Sequence, residues 1–305
     1  LLKSGEGGIV YRLIYAFHMP AFIFISGYFA KSDFKKIIKN MLWPYVVFQI
    51  LYIIYARTIL GDDEKFTLVR PYWIMWYIFA MIIWSLILPL FRHWTNKYIR
   101  IGLFILTLAV SILAGFSERI GVKFSLSRIL VYMPFFISGS YFSDMDLNTF
   151  YERHRKVISM TAAVAFGAVV AAIVVHYREY SYIWLYENAP YDVTNEPVHI
   201  RALHILFAYV FIAYMVLLTP HRPIKLLATI GQRTMPIYLL HGFIIRLLLD
   251  RNIGELSASQ PVALMYRILI FATAAIVLVL SSDAVLKAAS PLIKLQYKHK
   301  EKQSK

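Results

Sequence analysis

A histidine and a serine stand inside a long apolar run near the start of the sequence. Residues 13–30 carry no formal charge, yet they include His18, Pro20 and Ser26. Ionisable groups are costly inside a membrane and usually face a cavity or a partner. Since neutral imidazole can take a proton from a hydroxyl, we predict that His18 is a general base or positions a substrate, with Ser26 in contact with that substrate. The alternative is a structural histidine at the kink that Pro20 makes.

Guanidinium groups recur in other apolar runs that contain almost no acidic residues. Arg246 shares its run with His241, the second candidate base, and Arg267 lies in the last run. Arg12 and Arg128 lie at the ends of their runs. A forked guanidinium without a carboxylate suits phosphate or carboxylate, so we predict that these arginines bind an anionic substrate in a cavity. For Arg12 and Arg128, contact with lipid phosphate explains the position equally well.

Three lysines follow the first apolar run on consecutive helical turns. Lys35, Lys36 and Lys39 precede the next run. Such a cluster can hold the phosphates of a soluble donor. The alternative is that it only sets the orientation of the chain in the membrane.

These residues must be positioned by membrane-spanning helices. Hydrophobic residues make up 59% of the 305 residues and charged residues only 16%, which is typical of a polytopic membrane protein. Apolar runs of helix length predict an all-α integral membrane protein that forms a single domain over 1–305. Nine such runs are visible, at 10–30, 41–60, 72–91, 99–115, 126–142, 157–176, 202–219, 235–249 and 262–281.

The connecting segments alternate in charge. One alternate set carries nineteen Lys and Arg residues and the other carries seven. By the positive-inside rule, the basic set is cytoplasmic, so residue 1 lies outside and the C-terminus inside. We therefore expect one further helix before residue 1, and ten helices in the intact protein.

Composition excludes several classes of function. The chain has no cysteine, so it has no disulfide, thiol nucleophile or thiolate metal site, and we expect no metal. The net charge of +15 is divided among the connecting segments rather than gathered on one face, so we expect no nucleic-acid partner.

A partial internal repeat is also visible, because Met-Pro followed by Ser-Gly occurs at 19–27 and again at 133–139.

Several motifs resemble the acyltransferase 3 family of membrane O-acyltransferases. They are FHMPAFIFISGYF at 17–29, WPY at 43–45 and TMPIYLLH at 234–241, and the resemblance covers nearly the whole chain. The branch they resemble is that of fucose 4-O-acetylase and the intercellular-adhesion polysaccharide acyltransferase. The family's first helix supplies a further histidine that is absent from these residues, so we expect this chain alone to be inactive.

The resemblance implies a ten-helix protein of the plasma membrane. It would move an acyl group, usually acetyl, from acyl-CoA to a hydroxyl of a cell-surface carbohydrate or a lipid-linked glycan. Lys35, Lys36 and Lys39 match the basic stretch that the family places beside the CoA phosphates. The competing hypothesis is a transporter or flippase of acidic or lipid-linked glycans, which would use the same arginine-lined cavity.

Overall fold

The computed structural model is helical, as the apolar runs predict. In the part of the chain that it describes there is no strand. The described residues are 5–62, 67–117, 120, 125–145, 157, 159–161, 163–168, 170–171, 175, 185, 190–194, 197–219, 224–251 and 262–294. The helices are α1 Gly5–Phe29, α2 Phe34–Ile37, α3 Trp43–Tyr55, α4 Trp76–Arg92, α5 Lys97–Leu113, α6 Leu126–Phe142, α7 Tyr191–Thr194, α8 Val198–Leu218, α9 Lys225–Gln232, α10 Thr234–Asp250, α11 Val262–Leu280 and α12 Asp283–Ile293.

The long helices coincide with the predicted apolar runs, apart from 157–176, which lies partly outside the described residues. By length and composition, four helices of the described part could cross a membrane: Phe34–Leu60, Trp73–Arg92, Lys97–Phe116 and Val198–Leu217. A fifth is possible if Tyr266–Leu280 and Asp283–Ile293, which meet at a bend of 66°, form one broken span. The structure thus supports a multi-span membrane protein, and the number nine stays a prediction.

The chain divides into two compact units, each with its own internal packing. The first unit consists of Leu1–Ser32 and Ile83–His221, and the second of Asp33–Ile82 and Arg222–Lys305. The candidate site residues divide between them. Arg12, His18, Ser26 and Arg128 belong to the first unit, and Lys35, Lys36, Lys39, His241, Arg246 and Arg267 to the second.

In the first unit, α1 and α6 touch backbone to backbone through two glycines. A Cβ atom on Gly27 would lie 2.0 Å from the carbonyl oxygen of Phe136, and one on Gly139 would lie 2.0 Å from that of Phe24. Small residues at a crossing let two membrane helices approach closely. Each glycine ends the same Phe-Ile-Ser-Gly sequence, so the predicted repeat has a packing role at the crossing.

Ionic contacts hold one end of the first unit together. Asp144, just after α6, accepts hydrogen bonds from Arg92 at the end of α4 and, at 2.9 Å, from Arg100 in α5. The guanidinium of Arg100 also lies over the ring of Tyr141, 5.1 Å from its centroid. The segments after α4 and after α6 therefore lie at the same end of the unit.

The second unit contains one long continuous helix, Phe34–Leu60. It begins after Asp33, whose carboxylate accepts a hydrogen bond from the Lys36 backbone N–H at 3.2 Å. Two five-residue segments within this helix, Ile38–Leu42 and Ala56–Leu60, have π-helical hydrogen bonding. The helix ends at Gly61, which has a φ of 70°, a left-handed conformation that glycine adopts without steric cost.

Helix α10 packs beside α3 in the second unit. The hydroxyl of Tyr52 donates to the carbonyl of Leu239 at 2.8 Å, and the ring of Tyr52 stacks on Phe243 with centroids 4.0 Å apart. A Cβ on Gly242 would lie only 2.1 Å from the Tyr52 hydroxyl, so this close packing requires glycine. The contact sets α10, with His241 and Arg246, against α3.

Candidate functional site

Most candidate residues of the second unit lie at successive levels along the helix Phe34–Leu60 and the neighbouring α10; Arg267, on α11, is separate. The helix Phe34–Leu60 has 27 residues and is about 40 Å long. Its lysine cluster lies at one end, and Asp62, which contacts Arg246, follows the other end. His241 lies on α10 between these two ends. One unit therefore carries basic, imidazole and ion-pair groups at successive levels along this helix.

The lysine cluster is exposed, as a phosphate site requires. Lys35 and Lys36 lie in α2, and Lys39 lies in the π-helical segment that follows. The Lys36 ammonium lies 3.1 Å from the carboxylate of Asp33, and this hydrogen bond lowers the pKa of Asp33. Lys36 is thus partly neutralised by a surface ion pair, while Lys35 and Lys39 are exposed on the same helix. Because π-helical turns occur often at functional sites, the position of Lys39 favours a role beyond topology.

The imidazole of His241 is oriented by its own helix. Its Nδ1 lies 3.0 Å from the carbonyl oxygen of Ile237, one turn earlier. A carbonyl only accepts hydrogen bonds, so Nδ1 carries the proton and Nε2 carries the lone pair. The side chain is half-buried, with the ring of Tyr238 centred 5.9 Å away. This is the tautomer and setting that a general base needs.

The prediction that Arg246 lacks a protein counter-charge is wrong. Its Nη2 lies 2.7 Å from the carboxylate of Asp62, and its Nε donates to the hydroxyl of Tyr72 at 3.2 Å. Asp62 follows the end of its apolar run, outside the run itself, so it was not counted as a partner. The fold returns it to the level of Arg246. The pair is neutral as a whole and is not the bare cationic site that the sequence suggested.

A buried glutamine holds the segment that carries Tyr72. The side chain of Gln49 is fully buried, and its Nε2 donates to the carbonyls of Thr67 and Arg70, both at 2.9 Å. Its Oε1 accepts from the backbone N–H of Tyr72 at 2.9 Å. One side chain thus satisfies three backbone groups and fixes residues 67–72 against α3.

We expect Gln49→Leu to lower the free energy of local unfolding of residues 67–72 by about 1–3 kcal/mol, because the buried amide of Tyr72 and the part-buried carbonyls of Thr67 and Arg70 lose their partner. Hydrogen–deuterium exchange should show faster exchange of the Tyr72 amide in the variant. Gln232→Leu, at an exposed position of α9, is the matched control and should leave that amide unchanged. Equal protection of Tyr72 in both variants would contradict the assignment.

In the first unit, His18 lies on an exposed face of α1, with its ring parallel to Phe22 at a centroid distance of 6.4 Å. The hydroxyl of Ser26 donates to the carbonyl of Phe22 at 2.8 Å. Arg12 and Arg128 are half-buried in the same unit, whereas Arg267 is exposed on α11 in the second unit. Their proposed contacts with substrate stay predictions.

The first unit also buries two polar residues that sequence analysis did not select. Arg201 is fully buried, with its guanidinium over the ring of Tyr191, 4.5 Å from the centroid. His204 is 2% exposed, and its Nε2 donates to the carbonyl of Ala16 at 3.1 Å. By their positions near the start of the apolar run 202–219, both residues would be assigned to the membrane interface. Instead, His204 is covered by the packing of α8 against α1, and Arg201 lies against Tyr191 and Gly115.

Some polar residues that contact the candidate residues of the second unit could not be selected from the sequence. Asp62, Tyr72 and Gln49 were absent from the candidate set. A usable indication was present for Asp62, because an acidic residue directly after an apolar run lies at the depth of a cation near the end of a neighbouring helix. Gln49 offered a similar indication as an uncharged polar residue inside a run.

Comparison with known proteins adds one positive finding. A family model described as an acyltransferase domain matches residues 3–282. The match includes segments of both units and every candidate site residue. No curated protein and no solved structure matches the chain.

Proposed function

Since the chain belongs to the acyltransferase 3 family, we propose that it moves an acyl group, with acetyl as the expected one, from acyl-CoA to a carbohydrate hydroxyl. The acceptor would be a cell-surface or lipid-linked glycan, as in the branch that the motifs resemble. The protein would lie in the plasma membrane with its C-terminus in the cytoplasm, as the basic segments predict.

The orientation of His241 is the observation that carries this proposal. Its Nε2 would take the proton of the acceptor hydroxyl while the oxygen attacks the thioester carbonyl. The carbon–sulfur bond then breaks, and the CoA thiolate leaves and recovers the proton from the imidazolium. His18 is the second candidate base, in the first unit.

The lysine cluster supports a donor site at the predicted cytoplasmic end. The distance along the helix from Lys39 to Tyr52, which contacts α10 near His241, is about 20 Å. An extended pantetheine arm spans a distance of this order, so phosphates held by Lys35 and Lys39 would leave the thioester within reach of His241. The transporter hypothesis, in contrast, relied on arginines without counter-charges, and Arg246 is not one of them.

The direct test uses the intact protein in lipid nanodiscs with radiolabelled acetyl-CoA and a panel of glycosides. We expect label to pass to a glycoside only in the presence of protein, with one equivalent of free CoA released. Movement of unmodified glycan across proteoliposomes without any acyl donor, together with no transfer of label, would overturn the proposal.

The donor site has its own test. We expect Lys35→Gln combined with Lys39→Gln to raise the KM for acetyl-CoA about tenfold or more, because phosphate–ammonium hydrogen bonds are lost. The effect should be smaller with acetyl-dephospho-CoA, which lacks the 3′-phosphate. Lys97→Gln, at an exposed position of the first unit, is the control. It should leave the KM for acetyl-CoA and the KM for acetyl-dephospho-CoA unchanged. An unchanged KM in the double variant would assign the lysines to topology alone.

A further inference from the structure

We propose that Arg246, Asp62, Tyr72 and Trp73 form the acceptor subsite, and that this subsite binds a neutral polyhydroxylated ring in preference to an acidic one. The inference rests on the proposed function for the identity of the ligand as the acceptor. It goes further by assigning residues that contact the acceptor and the charge class of the sugar.

The charge of the subsite is the first argument. Arg246 and Asp62 form an ion pair at 2.7 Å, and their side chains are 35% and 36% exposed, so both can reach a ligand. An anionic sugar would be attracted by Arg246 but repelled by Asp62, which would lie at a similar distance from it. Neighbouring hydroxyls of a neutral ring can donate to the carboxylate and accept from the guanidinium at once. The pair is therefore matched to hydroxyl groups and not to a carboxylate.

The aromatic surroundings are the second argument. The hydroxyl of Tyr72 accepts a hydrogen bond from the Arg246 Nε at 3.2 Å, and because Tyr72 is only 8% exposed, it fixes the position of the guanidinium within the subsite. Behind it, the rings of Tyr72, Tyr52 and Phe243 stack in a column, with centroid distances of 5.8 and 4.0 Å. These contacts hold the polar groups on a rigid apolar base, which is the usual construction of a small-ligand site.

The backbone at Trp73 is the third argument. Trp73 directly follows Tyr72, has a φ of 39° and is 37% exposed. A large residue rarely adopts this left-handed conformation, and such strain persists where the surrounding structure enforces it, often at ligand sites. The preceding residue is held in place, since the Tyr72 amide donates to the buried Gln49 at 2.9 Å. An exposed indole on the residue next to Tyr72 offers an apolar face of the kind against which sugar rings pack.

The experiment compares two ligands that differ by one carboxylate. Binding of 4-nitrophenyl glucoside and 4-nitrophenyl glucuronide to the intact protein in nanodiscs is measured by saturation-transfer NMR titration. We expect the unmodified protein to prefer the glucoside. Asp62→Asn should weaken the glucoside about tenfold and reverse the preference, because Arg246 then loses the carboxylate 2.7 Å from it. Trp73→Leu should weaken both ligands.

Two control variants remove the same kinds of side chain at positions outside the proposed subsite. Asp283→Asn removes the partner of another arginine, Arg233, which lies 2.7 Å from it, and Trp94→Leu removes another exposed indole. Neither should change binding. The inference is overturned if the unmodified protein prefers the glucuronide, binds neither ligand, or keeps its preference in Asp62→Asn. The last result would make the pair a structural tether of the segment after α3.

Failure of this inference can be distinguished from failure of the proposed function. If label passes from acetyl-CoA to a glycoside but Asp62→Asn leaves the acceptor KM unchanged, the function stands and the subsite lies elsewhere. If no label is transferred but the glucoside binds with the expected pattern, the subsite stands and the acyl-transfer proposal fails.

Discussion

Replacing His241 by Ala should lower the turnover number for acyl transfer by about 10²–10⁴-fold, the usual contribution of a positioned general base. The KM for acetyl-CoA should change little, because His241 is distant from the lysine cluster at the start of the helix Phe34–Leu60. The physical reason is the hydrogen bond of Nδ1 to the Ile237 carbonyl, which orients the ring and leaves Nε2 as the nitrogen that can take a proton. The measurement is single-turnover transfer of labelled acetyl to a glycoside by protein in nanodiscs.

His93→Ala is the control, since His93 is an exposed histidine at the end of α4 in the first unit. It should keep full turnover. Full turnover by His241→Ala at normal expression and thermal stability would remove His241 as the base. In that case His18→Ala becomes the decisive variant, and a loss of 10²-fold or more there would move the chemistry to the first unit.

Replacing Gly139 by Ala should destabilise the first unit by about 3 kcal/mol or more, the largest effect on stability that we expect from adding one methyl group. The new Cβ would lie 2.0 Å from the Phe24 carbonyl oxygen and 3.1 Å from the Tyr28 backbone nitrogen. Both obstacles are backbone atoms, so a change of rotamer cannot relieve the overlap and α1 must move away from α6. The measurement is the apparent melting temperature in nanodiscs, which should fall by more than about 5 °C.

Gly102→Ala is the matched control, because Gly102 is also helical and a Cβ there would meet nothing within 4 Å. Alanine is the better helix former, so this variant should be neutral or slightly more stable. Gly27→Ala should reproduce the defect of Gly139→Ala, since the two glycines occupy equivalent places at one crossing. An unchanged melting temperature in both glycine variants would show that the helices do not touch there.

The all-α class, the membrane character, the positions of most long helices and the family could all be predicted from the order of the amino acids. The run 126–142 coincides with helix Leu126–Phe142, and 235–249 lies within Thr234–Asp250. These features follow from local rules. A helix in lipid must satisfy its own backbone hydrogen bonds and cover itself with apolar side chains, so composition over about twenty residues identifies it. The motifs that led to the family are likewise continuous in the chain.

Which polar groups meet could not be predicted in this way, because it depends on how distant helices pack. The rise per residue of a helix predicts how deep in the membrane a residue lies, but it does not predict which residue of a neighbouring helix faces it. Asp62 and Arg246 are 184 residues apart in sequence, and Gln49 reaches Tyr72 through a loop, so neither contact follows from periodicity. The same limit applies to Arg201 and His204, which look interfacial by position and are buried by the packing of neighbouring helices. Local spacing determines elements, whereas partners depend on packing between elements that are distant in the chain.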